Sequence, residues 1–247
     1  MAALISGTAN PALAQTGHRP WPMPEEPWTW QQAWLDLLFI HYEVDAGELR
    51  KLLPAGIELD LHAGKAWLGV VPFRMAGVTK RGWPAPPWLC DFAEINVRTY
   101  VRHGGKAGVW FLSLDVVNPL VAAFARTFFH LPYFSAQIRL KREGGAVHYA
   151  ACRGVRRFAA VYEGGASAPS EAGSFAHWAT ERYCLYSADR AGRLYRGEVQ
   201  HPQWPLQVAR WELREDTMAP LPVGPRHPEV YYSPGVDVVV WPLRPIN

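Results

Sequence analysis

The stretch DFAEINVRTYV, residues 91–101, decides the fold class. From Phe92 onward its side chains alternate in character. Glu94, Asn96, Arg98 and Tyr100 fall on one face of a strand, and Ile95, Val97, Thr99 and Val101 fall on the other. At the usual rise of a strand, Glu94 and Arg98 lie about 13 Å apart along that face. A polar face of this kind has two physical interpretations. It meets water as a charge-laced strand surface, or it lines the inside of a closed barrel. The sequence leaves both open.

Working outward from this strand, the chain reads as many short β-elements. Upstream, Leu35–Val44 is a strand with a buried middle, and Asp45 caps a short helix with Glu48 as its capping-box partner. Pro54 and Gly56 end that helix. Lys65–Val78 is a further strand, in which Pro72 points to an edge or a bulge. RGWPAPPW, residues 81–88, is a stiff aromatic loop. Downstream, Val109–Val117 is a strand, and Asn118-Pro119 opens the longest helix, which runs to about His130. Tyr133–Arg142 and Ala146–Arg153 form a hairpin around Gly144-Gly145. Arg156–Glu163 is a strand, GGASAPSEAGS (residues 164–174) a flexible loop, and Phe175–Arg182 a helical turn. Tyr183–Tyr186 and Leu194–Val199 pair as a hairpin, and Leu206–Arg214 and Val236–Trp241 are the last strands.

Composition agrees with a mainly β, α+β chain. The 22 prolines and 21 glycines punctuate it too often for long helices, and hydrophobic residues make up 49%, enough for a sizeable core. No composition shift marks a boundary, so residues 1–27 read as an N-terminal tail or arm and 28–247 as one domain. The net charge of +3 comes with no Lys/Arg block, so no nucleic-acid partner is expected. No run is apolar enough to span a bilayer, and no signal peptide is expected, which leaves a cytoplasmic location. Three isolated cysteines argue against a disulfide framework, and no histidine spacing suggests a metal, so no cofactor is expected.

Twelve tryptophans are many for a chain of this length, and they suggest an aromatic-lined small-molecule pocket. Three segments carry candidate chemistry. The first is the Glu94, Asn96 and Arg98 face. The second is ARTFFHLPYFSA, residues 125–136, where His130 and Tyr133 flank Pro132 as proton donors or acceptors, or else form an aromatic corner of the core. The third joins TERYCLY (residues 180–186) to HPQWPLQ (residues 201–207). There Glu181, Tyr183 and Tyr186 would face His201 and Trp204, either as a binding wall or as ordinary cross-strand packing.

Seven blocks in this order resemble the YqjF-like family of uncharacterised proteins. They are LLFIHYEVDAGELRKLLPAGIELD, KAWLGVVPFRM, FAEINVRTYV, GVWFLSLDVVNPL, ARTFFHLPYF, TERYCLY and HPQWPLQ. That family is similar in fold to acetoacetate decarboxylase. The resemblance implies a strongly curved antiparallel β-barrel around a closed cavity, with a few short helices. Acetoacetate decarboxylase works through a lysine that forms a Schiff base, activated by a second lysine. The resemblance places those two lysines after Pro132, where this chain has Tyr133 and Phe134. It also matches the enzyme's strand carboxylate to Glu94.

A tyrosine and a phenylalanine cannot form a Schiff base, so lysine-dependent decarboxylation is not expected. Three hypotheses follow. One is a lyase or isomerase acting on a small oxo or hydroxy acid, with Glu94 as acid or base, Tyr133 or His130 as a hydrogen-bond donor, and Arg98 or Arg74 anchoring a carboxylate. Asn96, Phe134, Tyr183, His201 and Trp204 would complete its binding wall. A second is a non-catalytic protein that binds a small or hydrophobic metabolite. A third is a structural or protein-interaction module. Edge strands and the loop at residues 81–88 are candidate homo-oligomer contacts.

Overall fold

The computed structural model describes residues 10–84, 90–224 and 227–247. Its strands are β1 (Trp30–Val44), β2 (Glu58–Leu59), β3 (Ala66–Lys80), β4 (Phe92–His103), β5 (Lys106–Val116), β6 (Tyr133–Ser135), β7 (Gln137–Glu143), β8 (Ala146–Arg153), β9 (Arg156–Ser167), β10 (Cys184–Ala188), β11 (Leu194–Gln200), β12 (Gln207–Asp216), β13 (Glu229–Val240) and β14 (Arg244–Pro245). Three short helices join them: α1 (Ala46–Arg50), α2 (Pro119–Phe129) and α3 (Phe175–Thr180). The chain is therefore mainly β.

Hydrogen bonding runs β11–β10–β5–β4–β3–β1–β13, and β13 pairs back to β11 through Val199↔Val240 and Gln200↔Val239. Seven strands thus close into a ring. From β13 the order continues through β12, β9 and β8 to β7, a second layer laid over the outer face of the ring. The resemblance led us to expect antiparallel pairing throughout. Most pairs are antiparallel, but β5 pairs in parallel with both β10 and β6, so the sheet is mixed.

Two apolar cores follow from the alternation of β1 and β3, whose faces are both buried. Leu38, Ile40, Val70, Ile95 and Val97 pack outward against Val147, Tyr149, Phe158 and Tyr162 of the second layer. Leu37, Phe39, Val71, Phe73, Val236 and Val238 pack inward, where they meet Ala176 of α3 and Trp204. Each such aliphatic or aromatic side chain contributes about 1.5–3 kcal/mol when taken from water into the core.

Local chemistry fixes the helix ends. The Asp45 and Asn118 side chains accept hydrogen bonds from Glu48 and Leu120 amides, and Ser174 does the same for His177. Pro72 sits in a central strand, not at an edge. The β1–β3 register breaks between Leu35 and Ile40, at a bulge where Asp36 has φ 58°. Pro72 lies opposite that break, so the N–H it lacks is not required.

Some sequence boundaries shift. Tyr133–Ser135 is a separate strand beside β5, not the start of the β7–β8 hairpin. The expected flexible loop begins later, because residues 164–167 continue β9. There a Cβ on Gly164 would lie 1.9 Å from the Gln207 side chain and 2.6 Å from the Tyr232 ring. Only glycine allows that approach. Residues 201–206 form no strand. Of the aromatic loop, residues 85–88 lie outside the described residues.

The N-terminal arm is packed against the ring from residue 10 onward. Ala12 is buried with Val239 and Trp241, and the Gln200 amide donates to the Ala12 and Gln15 carbonyls. No helix of the described residues is long and apolar enough to cross a membrane.

Candidate functional site

Register places the polar face of β4. Glu94 pairs with Phe73, Asn96 with Val71 and Arg98 with Gly69. Residues directly opposite in an antiparallel pair share a face. The polar side chains therefore share the inward face of Phe73 and Val71. Exposure settles the choice between water and barrel interior, since Glu94 is 2% exposed, Asn96 5% and Arg98 9%.

Tyr133 reaches the same face through β6. It pairs in parallel with Leu114, which stands opposite Asn96 on β4. The Tyr133 hydroxyl donates to Glu94 Oε2 at 3.2 Å. Burial pushes the Glu94 carboxyl up to about 8, against the hydrogen bonds from Tyr133 and Asn96 that favour its charged form. Burial and the neighbouring carboxyl hold the Tyr133 phenol well above its ordinary value. At neutral pH the pair is mostly a neutral acid beside a neutral phenol.

Deeper along β4, Arg98 lies over the Phe39 and Tyr100 rings at 5.4 and 5.7 Å. His41 Nε2 is 2.6 Å from the Tyr100 hydroxyl. Burial, then the nearby Arg98, lowers the His41 imidazole to about 3 and keeps it neutral. Trp204 stacks on Trp34 at 6.0 Å, meets Phe39 edge-on at 5.0 Å and donates its indole N–H to the Thr180 carbonyl. His201 stacks between Tyr183 at 4.7 Å and Trp204 at 5.1 Å. Glu181 accepts from the Tyr183 hydroxyl and the Trp204 amide. Glu181, Tyr183, His201 and Trp204 are therefore in mutual contact, although residues 201–206 form no facing strand. Tyr186 does not join them, since its hydroxyl donates to the His103 and Lys106 carbonyls.

Three other sequence candidates stand apart from Glu94. His130 caps α2 in the left-handed region, at φ 51°, and its ring lies 4.9 Å from Tyr195. Phe134 is next to Tyr133 and so points to the opposite face, where it is 36% exposed under the Arg153 guanidinium. Arg74 lies 3.9 Å from Asp36 Oδ2 at the bulge, a carboxylate also held by Arg142 at 2.8 Å.

Several polar residues near the site were not among the sequence candidates. Asp115, fully buried, pairs with Arg153 at 2.7 Å. Tyr149 is buried beside Asp115 and Glu94, and its hydroxyl has no partner among the described residues. Asp115 was detectable as the lone acid in the apolar run GVWFLSLDVV; Tyr149 and Arg153 carried no local mark. None of the five lysines is buried, and four are ion-paired with Glu48, Glu43, Glu198 and Glu143. Two hollows, of about 360 and 270 Å³, are lined by residues 16–23 and by Tyr42 with residues 213–223. Neither is lined by Glu94 or Tyr133.

A closed ring with a second layer is an acetoacetate-decarboxylase-like fold, here with a carboxyl–phenol pair on the inner face and no buried lysine. Solved structures share the fold. The enduracididine biosynthesis enzyme MppR, complexed with pyruvate, superposes with a TM-score of 0.66 at 15% identity, over 98% of this chain and 99% of that one. Acetoacetate decarboxylase from Legionella pneumophila gives 0.63 at 17% identity, over 99% and 98%. The model of the DUF2071 family, an uncharacterized conserved protein, matches residues 31–237. The uncharacterized protein YqjF of Bacillus subtilis (strain 168) is 38% identical over 229 residues, which is 90% of this chain and 94% of that protein. The chain belongs to the DUF2071, YqjF-like family.

Proposed function

We propose that this protein acts on a small oxo or hydroxy acid by acid/base chemistry, as a lyase or isomerase that uses no Schiff base. One observation carries the reading: Glu94 is buried, bonded to the Tyr133 hydroxyl and raised to about 8. Burying a carboxyl costs stability, and a value near neutrality suits proton transfer. The ionised fraction of Glu94 takes the proton from the carbon beside the carbonyl, and the Tyr133 hydroxyl turns to donate to the carbonyl oxygen that gains the negative charge. The positions of the lysines support the same reading, because none is buried in the interior with Glu94 and four are held in ion pairs. The pyruvate complex of MppR supports the ligand class by fold analogy.

The test is exchange of carbon-bound protons for deuterium. A panel of small 2-oxo, 3-oxo and hydroxy acids is incubated with the protein in deuterium oxide and followed by proton NMR. At least one acid should exchange or convert, and Glu94→Gln should slow that reaction by about 10²–10⁴-fold. Full activity in Glu94→Gln would refute the assignment.

A further inference from the structure

Arg98 is the feature that the acid/base pair leaves unexplained. It is 9% exposed, and among the described residues it makes no ion pair. Its one hydrogen bond runs to the Ala179 carbonyl at 3.5 Å, the far limit of such a bond, and its Nε has no partner. Arg182, 7% exposed, does have a carboxylate: Nη1 meets Asp60 at 2.5 Å, but Nη2 is unpartnered. Asp60 is also shared with Arg102 on the surface side.

The same aromatic cluster holds two more buried donors without acceptors, the indole N–H groups of Trp67 and Trp178. Tyr100 sits at its centre. The Arg98 and Arg182 guanidinium carbons lie 5.7 and 5.1 Å from its ring, and Trp178 lies 4.5 Å from it. Phe175 links Trp67 at 4.5 Å to Trp178 at 5.5 Å. Opposite Arg98 stands Gly69, where a Cβ would come within 3.2 Å of the Tyr100 hydroxyl and 3.4 Å of Arg98. Glycine lets the Arg98 stem, the Tyr100 hydroxyl and the His41 ring close up against β3 there.

Four orphaned donors and one surplus buried positive charge share a single surround. Water satisfies an N–H, but it does not neutralise a guanidinium in an apolar interior, where an unpaired charge costs several kcal/mol. Neutral His41 supplies no countercharge. A fork of N–H donors beside aromatic faces matches a planar carboxylate with a small apolar body.

We propose that the barrel interior is a binding site for a small monocarboxylate, with Arg98 as its anchor and Arg182, Trp67 and Trp178 as further donors. This deepens the acid/base reading by naming the group its ligand carries, yet it stands on different residues. Arg98 binds the anion whether or not Glu94 transfers a proton.

The test is binding of acetate and pyruvate to the full chain, by calorimetry and by quenching of tryptophan fluorescence. Wild type should bind one or both saturably, with acetamide at least about 30-fold weaker than acetate, because the neutral amide lacks the charge. Arg98→Gln should weaken the carboxylates by a similar factor, and Arg98→Lys should restore part of the affinity. Glu94→Gln should still bind them. That last result separates the two readings: inactive but binding Glu94→Gln supports both, whereas unimpaired turnover with Arg98-dependent binding sinks only the acid/base assignment. Equal binding of acetate and acetamide by wild type, or no saturable carboxylate binding, overturns the anion site. The wild-type comparison stands even if Arg98→Gln does not fold.

Discussion

Replacing Glu94 by glutamine should make the protein's stability less sensitive to alkali. Glu94 holds its proton in the folded chain up to about 8, against 4.5 when solvated, with burial as the main cause. Between those values the native state binds more protons than the unfolded state. Stability must therefore fall as pH rises through that window, and the loss is complete above the folded value. The slope approaches about 1.4 kcal/mol per pH unit. Single-site linkage gives a loss of about 3 kcal/mol between roughly pH 5.5 and pH 8.5. Glutamine cannot ionise, yet it keeps an oxygen to accept from Tyr133. Urea unfolding of wild type and Glu94→Gln across this range isolates the effect, because other titrating groups, Asp115 among them, cancel in the difference. The variant should gain on wild type as pH rises, by about 3 kcal/mol in total. Parallel curves would refute a buried carboxyl with a raised value, and with it the acid/base site.

Further outcomes follow from the same geometry. Borohydride should trap no adduct between the protein and acetoacetate or pyruvate, read by intact mass; a covalent lysine adduct would restore Schiff-base chemistry. Arg153→Ala should destabilise the fold by about 3 kcal/mol at neutral pH, because it strands the buried Asp115 carboxylate. Adding Asp115→Asn should recover much of that loss in urea unfolding, and no recovery would mean that Arg153 acts through Phe134 instead. Gly164→Ala should cost about 1–3 kcal/mol in thermal or urea unfolding, since its Cβ collides with Gln207 and Tyr232. A neutral effect would place β9 farther from β12 than it stands here.

The sequence carried most of the strand pattern because period-two alternation is local. FAEINVRTYV gave the face of Glu94 directly, and Asn118-Pro119 gave the start of α2 to the residue. Ring closure was not local. The pairing of Val199 and Gln200 with Val240 and Val239 joins segments about forty residues apart and has no turn signature. The choice between water and interior for Glu94 depended on that closure, so it could not be read from β4 alone. Of the two readings of Pro72, edge or bulge, the structure shows the bulge, but in the partner strand at Asp36, where no glycine or proline marked the break. His130 precedes a proline corner, and its left-handed backbone makes it the C-cap of α2 as well, a position the sequence did not mark.

The tyrosine at position 133 accounts for more than a missing amine. An ammonium group beside Glu94 would draw the carboxyl toward its charged form, as an opposite charge does within a few ångströms. A phenol offers only a hydrogen bond, and burial wins, so Glu94 stays protonated into the neutral range. One side-chain type thus removes the nucleophile and leaves the carboxyl beside it protonated. The surplus positive charge of this interior then lies at Arg98 rather than at the reacting end.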